Sequence, residues 1–343
     1  MNFLNLWILS RVAQAATSTL LCCVGAALGL RIVFRWTPGR SCEEQLVMEQ
    51  QAELIASMVQ VALIFEVLGL GLSVLVADHL VGAIRGAMCA FGVLASTRSG
   101  FWCLATTALT AVACVQWIVL HRLDLMTEAP LLTRRKLLWL VGVSVLAVCD
   151  LALTVGFAYE LDLKVIASCC SVWVDETVLR DRAVRWVMSP VAAGGLGLGV
   201  VLPALACTLA TSRWPQRTGV ILTASFLSAA APFAALPAVL VVVAPHVLET
   251  PTHLCPFCLI HSQGGYLGWP LFSAIFTGSV TGLGLGVVEL HRSATGNPPP
   301  VSTMLRSLGR WSAVSWATAL VCGVFPVIRY LYNSGGVSVF GEF

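Results

Sequence analysis

The sequence alternates between long apolar segments and short polar connections. Eight segments stay apolar over about 20 residues, the length that a helix needs to cross the hydrocarbon core of a bilayer. The pattern predicts an all-α, polytopic integral membrane protein with about eight transmembrane helices, in which residues 1–343 form a single transmembrane domain. The predicted spans lie at roughly 13–34, 57–77, 101–120, 137–158, 190–211, 218–244, 271–290 and 312–331.

The composition excludes several classes of protein. Of the 343 residues, 58% are hydrophobic and only 11% are charged, and the mean hydropathy is +0.87, which is too apolar for a soluble domain. The net charge of +3 argues against a nucleic-acid partner, and no Lys/Arg run or interleaving of aromatic and basic residues suggests one. The lipid bilayer is therefore the predicted environment. The chain has no G-x-x-x-x-G-K-[ST] motif, so an ATPase would have to be a separate subunit, as in an ABC-transporter-type complex.

Basic residues in the connections predict the orientation. If there are eight spans, most of these residues lie on one side, which the positive-inside rule makes cytoplasmic. We therefore expect a bacterial inner (cytoplasmic) membrane protein with both termini periplasmic. The connection 159–189 also carries basic residues, but it is longer and holds as many acids. The basic residues that set the orientation are Arg31, Arg35, Arg40, Arg122, Arg134, Arg135, Lys136, Arg213, Arg217, Arg292, Arg306 and Arg310.

The long connections on the opposite side carry cysteines and histidines. These outer loops are 78–100, 159–189 and 245–270. They contain Gly86-Ala87-Met88-Cys89, Ser168-Cys169-Cys170 and the segment His253–His261, and they hold four of the six histidines. The topology inferred from arginines and lysines thus predicts a cysteine-bearing outer face. We expect a metal-binding or redox site to lie on that face.

The segment His253–His261 (HLCPFCLIH) is the densest group of candidate ligands in the chain. It places two thiols and two imidazoles within nine residues, between two apolar spans. In a C-x-x-C arrangement, the sulfurs of Cys255 and Cys258 are close enough either to form a disulfide or to bind one soft metal ion.

A metal site is the first interpretation. Thiolate, thioether and imidazole ligands favour Cu(I) and other soft ions, and zinc would accept the two cysteines of the C-x-x-C motif with one or two histidines. We expect copper before zinc, bound on the periplasmic side for transport or for transfer to a partner. The candidate ligands are Cys255, Cys258, Cys169, Cys170, Cys89, His253, His261 and Met88.

A redox function is the second interpretation. In a thiol–disulfide oxidoreductase Cys255 would attack, Cys258 would resolve, and the pair Cys169-Cys170 would exchange electrons with them. The paired cysteines resemble those of membrane oxidoreductases of the DsbB and vitamin K epoxide reductase type, which relay electrons to a quinone. Those proteins have four or five helices, whereas eight spans are expected here. Whether the chain is an enzyme stays open at this point.

A structural function is the third interpretation. An oxidising outer compartment favours disulfides, so the loop cysteines could simply brace the loops of a non-catalytic subunit in a larger membrane complex. The set of Gly86–Cys89, Ser168–Cys170 and Cys255–Cys258 also resembles multi-pass inner-membrane proteins of bacteria, a resemblance that implies no activity.

Two acidic residues lie inside predicted spans. Glu66 is near the middle of the second span and Asp150 is in the fourth. Because a charge is costly in the bilayer, each side chain should face the interior of the helix bundle and be protonated, paired or bound to an ion. Both are candidates for an intramembrane path for protons or cations, and a neutral acid bonded to a neighbouring helix is the alternative.

Local patterns add four expectations. Ser41–Ala56 reads as a short amphipathic helix before the second span, and Asn297–Pro300 as a stiff, non-helical loop. Pro232 and Pro237 predict a kink in the sixth span. The glycines of Gly194–Gly199 predict a close helix–helix contact.

Overall fold

A computed structural model describes residues 5–35, 43–126, 131–162, 182–295 and 299–341. The structure is 85% helical, and the described residues contain no strand. Within the described ranges, eight helices are long and apolar enough to cross a membrane, which confirms the predicted all-α polytopic fold. Helices suit this environment because they satisfy their own backbone hydrogen bonds where no water is available.

The eight membrane-length helices are numbered α1 to α8 in chain order. Short helical turns at Val81–Ala83, Ala90–Ala95 and Arg182–Val187 lie in the connections. The long helices are α1 (Leu6–Arg35), α2 (Glu43–His79), α3 (Gly100–Asp124), α4 (Thr133–Glu160), α5 (Pro190–Arg213), α6 (Thr218–Leu248), α7 (Gly268–His291) and α8 (Pro299–Asn333).

Two helices, α2 and α8, begin more than ten residues earlier than the sequence pattern suggested. The helix predicted over Ser41–Ala56 is present from Glu43, and it continues into the second span without interruption as the 37-residue α2. No proline or glycine precedes Gly69 in that helix to stop it. The expectation of a non-helical loop is wrong for Pro299 and Pro300, which open α8. Proline is tolerated there because the first helical N–H groups need no intrahelical partner.

The chain divides into two compact units. The first unit comprises Met1–Ala167 and His291–Val301, and the second comprises Ser168–Leu290 and Ser302–Phe343. In the first unit, α1 packs against α2 and α4, and α3 packs against the same two helices. The core between them includes the fully buried side chains of Leu63, Cys114, Trp117 and Leu140.

A buried ion pair joins the four helices of the first unit. The Arg11 guanidinium on α1 donates to the Asp150 carboxylate on α4 at 2.7 Å, and both side chains are almost fully enclosed. Its other N–H groups donate to Thr107 on α3 at 2.9 Å, to Ser73 on α2 at 2.7 Å, and to Gln14 at 2.6 Å. Thr107 also donates to the second carboxylate oxygen of Asp150. The predicted span 13–34 had left Arg11 outside the membrane helix.

A second buried pair joins the end of α3 to the start of α4. Lys136 lies 2.7 Å from the Asp124 carboxylate, which also accepts hydrogen bonds from the Leu132 N–H at 2.8 Å and the Thr133 hydroxyl at 2.9 Å. Asp124 therefore satisfies donors at the N-terminus of α4, where the helix dipole also favours a negative charge.

The second unit is built on close contacts at small residues. A Cβ added at Gly197 on α5 would lie 2.9 Å from the Ala238 Cβ on α6, which confirms the close helix contact predicted for the glycine-rich segment. Likewise Gly278 on α7 accommodates the Trp316 ring of α8. After Pro237, the α6 hydrogen-bond ladder changes to a π-helical turn over Val239–Val243.

We predict that Arg11→Met strongly destabilises the first unit, because it leaves the Asp150 carboxylate buried without its cationic partner. The expected loss in free energy of unfolding is about 3–5 kcal/mol. Unfolding of the purified protein in mixed micelles measures it. Arg31→Met on the exposed side of the same helix is the control and should change stability by less than about 0.5 kcal/mol.

The double variant Arg11→Met/Asp150→Leu sharpens this test. Removing both charges leaves no uncompensated ion, so the variant should recover much of the lost stability. An Arg11→Met variant as stable as Arg31→Met would contradict the assignment of a structural role to the ion pair.

Candidate metal centre

The connection between α6 and α7 folds as two short helical turns around the cysteine motif. The turns span Phe257–Ile260 and Ser262–Gly264. Pro256 starts the first turn, and its carbonyl accepts the Leu259 N–H at 3.3 Å. The Cys258 carbonyl accepts the His261 N–H, also at 3.3 Å. One tight turn therefore separates the two cysteines of the C-x-x-C motif.

The motif brings two thiols and one imidazole together. Cys255 is completely buried and Cys258 is 6% exposed. Their sulfur atoms lie within 4.8 Å of each other, and His253 Nε2 lies 3.2 Å from Cys258 Sγ. All three residues were predicted as ligands from the sequence, and the turn explains why they converge.

A third predicted cysteine lies in the first unit. Cys89 precedes the short helix Ala90–Ala95 and is buried. Cys255 and Cys258 belong to the second unit, so the assignment of Cys89 as a ligand beside them stays a prediction.

The other predicted ligands have different surroundings. Met88 is 74% exposed, so its thioether is not enclosed with the thiols. His261 is half-buried, and its carbonyl accepts backbone hydrogen bonds from Gly264 and Tyr266, which close the second turn. Cys169 and Cys170 lie outside the described residues. Their assignment as ligands stays a prediction.

The core of the second unit anchors the cysteine turn. Leu259 directly follows the second cysteine, is completely buried, and packs in a cluster with Val243 and Leu271. Gly264 lies so close to the turn that an added Cβ would be 2.6 Å from the Leu259 Cα and 2.7 Å from the Cys258 carbonyl oxygen. The position of Cys258 therefore depends on the packing of its neighbours, which sequence spacing alone does not reveal.

The ligand set has the chemistry of a soft-metal site. It consists of thiols with an adjacent imidazole, and the group of close ligand atoms in the described chain contains no carboxylate. Thiolate ligands select Cu(I) or zinc over hard cations such as Mg²⁺ and Ca²⁺. A metal ion would have to displace the thiol protons, because thiolate rather than thiol is the ligand.

The two candidate path residues have different partners. Asp150 is bonded to Arg11 and Thr107, as described above, so its charge is compensated. Glu66 is completely buried on α2 and accepts a hydrogen bond from Ser18 at 2.5 Å. Its other oxygen has no hydrogen-bond partner in the described part of the chain. An ion path through these residues remains a prediction.

Known proteins give no further guide to the function. No family model matches this sequence, and neither a curated protein nor a solved structure matches it. The function is therefore inferred from the geometry and chemistry of the chain itself.

We predict that Gly264→Ala exposes the cysteine turn, because the added methyl group must displace the backbone at Cys258 and Leu259. Maleimide labelling of Cys255 and Cys258, resolved by mass spectrometry of peptides, should become several-fold faster. Ser262→Ala changes an exposed side chain in the same connection and should leave labelling unchanged. Equal labelling rates in both variants would mean that Gly264 does not hold the turn in place.

Proposed function

We propose that this protein binds a soft metal ion, copper(I) in preference to zinc, at a centre built on Cys255 and Cys258. The enclosed grouping of these two thiols with the imidazole of His253 is the observation that carries the proposal. The bound ion is cargo, taken up on one side of the membrane and then moved across it or passed to a partner protein.

Each ligand has a distinct role in this proposal. Cys255 and Cys258 are the core thiolates, and Cys89 supplies a third sulfur. His253 next to Cys258 accepts the proton that the thiol loses, or binds the ion directly. Three thiolates form a soft donor set without a fourth ligand, whereas zinc sites in proteins are almost always four-coordinate. With His253 as the fourth ligand, the same residues would also suit zinc, so loading with Cu(I) and with Zn(II) side by side decides between the two ions.

We place the protein in the bacterial inner membrane, with both termini and the metal centre on the periplasmic side. The positive-inside rule supports this orientation, since Arg122, Arg134 and Arg135 are exposed around the connection between α3 and α4. Lys136 in the same connection contributes less, because Asp124 neutralises it. Transfer across the membrane would need an energy source, which an ABC-transporter-type partner subunit could supply.

A membrane thiol–disulfide oxidoreductase is the alternative that the geometry also accommodates. An imidazole beside a thiol can activate it as a nucleophile, and His253 contacts Cys258. That contact favours Cys258 rather than Cys255 as the attacking thiol. A thiol that exchanges with another protein must be reached by it, so the burial of both cysteines favours metal binding. A non-catalytic subunit with braced loops is the remaining alternative.

Metal content tests the proposal. Protein purified without chelator and then exposed to Cu(I) or Zn(II) should retain close to one copper ion per chain by mass spectrometry. Cys255→Ser/Cys258→Ser should lose it, and Cys89→Ser should weaken binding. His253→Ala should lower the affinity by about 10- to 100-fold, the usual cost of losing a group that supports a metal ligand. Cys149→Ser, an exposed cysteine on α4, is the matched control and should bind normally.

The same experiment separates the alternatives. Redox function predicts no retained metal, reversible oxidation of Cys255 and Cys258, and a mixed disulfide trapped when the resolving cysteine is changed to serine. Braced loops predict permanently oxidised cysteines and a loss of stability in either serine variant. Copper retained by Cys255→Ser/Cys258→Ser would contradict the proposed centre.

A further inference from the structure

The second unit contains an apolar cavity of about 210 Å³. Residues of α5, α6, α7 and α8 line it, and all of them are aliphatic, glycine or tryptophan. Among them are Gly194 on α5, Val242 on α6, Leu271 on α7, and Trp316 and Gly323 on α8. The wall therefore offers no charged group or hydroxyl to a ligand.

Small residues and the wide turn of α6 create this space. A Cβ added at Gly194 would meet only Val242, at 3.7 Å, and one added at Gly323 would meet only Val243, at 3.8 Å. Both distances are ordinary van der Waals contacts, so these glycines leave room that larger side chains would fill. Val239, Val242 and Val243 of the π-helical turn form another part of the wall. Such turns often occur at functional sites.

The cavity reaches the outer surface of two helices. Leu198 on α5 and Val324 on α8 line the cavity, yet they are 43% and 37% exposed. These residues mark its mouth. Exposed aliphatic side chains in the middle of membrane-spanning helices contact lipid rather than water, so the mouth opens toward the hydrocarbon region of the bilayer.

We propose that this cavity binds a single hydrocarbon chain of a membrane lipid. Apolar cavities stay free of water, and an engineered cavity of roughly 150 Å³, smaller than this one, takes up benzene or xenon. A chain that enters from the bilayer gains packing contacts that an empty cavity lacks. The apolar wall has no partner for a head group, so the polar part of the lipid remains outside the mouth.

The bound chain would contact the core that supports the cysteine turn. Val243 and Leu271 line the cavity and also pack in the cluster that contains Leu259. We therefore expect lipid occupancy to stabilise the connection between α6 and α7. The proposal itself stands on the cavity alone and does not depend on metal binding.

Photolabelling of the full chain tests the proposal. The probe is a fatty acid with a diazirine at the middle of its chain, added to the protein in micelles and mapped by mass spectrometry. Cavity residues of α5 and α8 should be labelled in the native protein. In Gly194→Leu, labelling of these residues should fall by about tenfold, the equilibrium factor for roughly two fewer buried methylene groups.

Gly195→Leu is the matched control. Gly195 is the neighbouring residue on the same helix, is exposed, and has no atom within 4 Å of an added Cβ. It receives the same substitution outside the cavity, so labelling should match the native protein. Gly323→Leu fills the cavity from α8 and should reduce labelling in the same way. It provides the test if Gly194→Leu does not fold.

Unlabelled competitors identify the kind of chain. Displacement by palmitic acid assigns an acyl chain, and displacement by farnesol alone assigns an isoprenoid chain, as carried by a quinone. Either result supports a hydrocarbon-chain site. The proposal is overturned if neither compound competes, or if labelling of the cavity residues persists unchanged in the folded leucine variants.

Discussion

The hydrocarbon core of a membrane supplies no water, and this constraint explains most of the structure. Every backbone group in the bilayer must be bonded within the chain, which requires the eight long helices. Polar side chains in the interior obey the same constraint. Arg11 and Asp150 persist in the first unit because four helices together supply partners for both charges. The second unit meets the constraint in another way, with close packing at small residues and an apolar cavity.

Reactive side chains in the connections between helices need local turns and buried neighbours to fix their positions. In the connection between α6 and α7, a proline and a tight turn set the separation of Cys255 and Cys258, and the buried Leu259 anchors that turn to the helices. Because the thiols are enclosed, they are shielded from exchange with other proteins and available to a small ion. The burial of the two thiols, and not the cysteine spacing alone, therefore favours metal binding over thiol–disulfide exchange.

Sequence periodicity predicted the eight spans because twenty apolar residues in a row have few alternatives to a membrane helix. From loop topology and residue chemistry, the sequence also pointed to eight candidate ligands, of which Cys255, Cys258 and His253 lie together in the second unit. It missed Arg11, since a charged residue near the end of an apolar stretch reads as a boundary until its partner Asp150 is seen. The cavity could not be predicted either, because it arises where side chains from four helices fail to fill the space between them.

X-ray absorption of the copper-loaded protein is the decisive experiment for the metal centre, because it reports the atoms bound to the metal rather than the amount of metal retained. The proposed centre should give a first coordination shell made mainly of sulfur, from Cys255 and Cys258 with Cys89 as the proposed third ligand, and at most one imidazole nitrogen from His253. A shell of oxygen and nitrogen without sulfur would contradict it, because the metal would then lie away from the buried thiols.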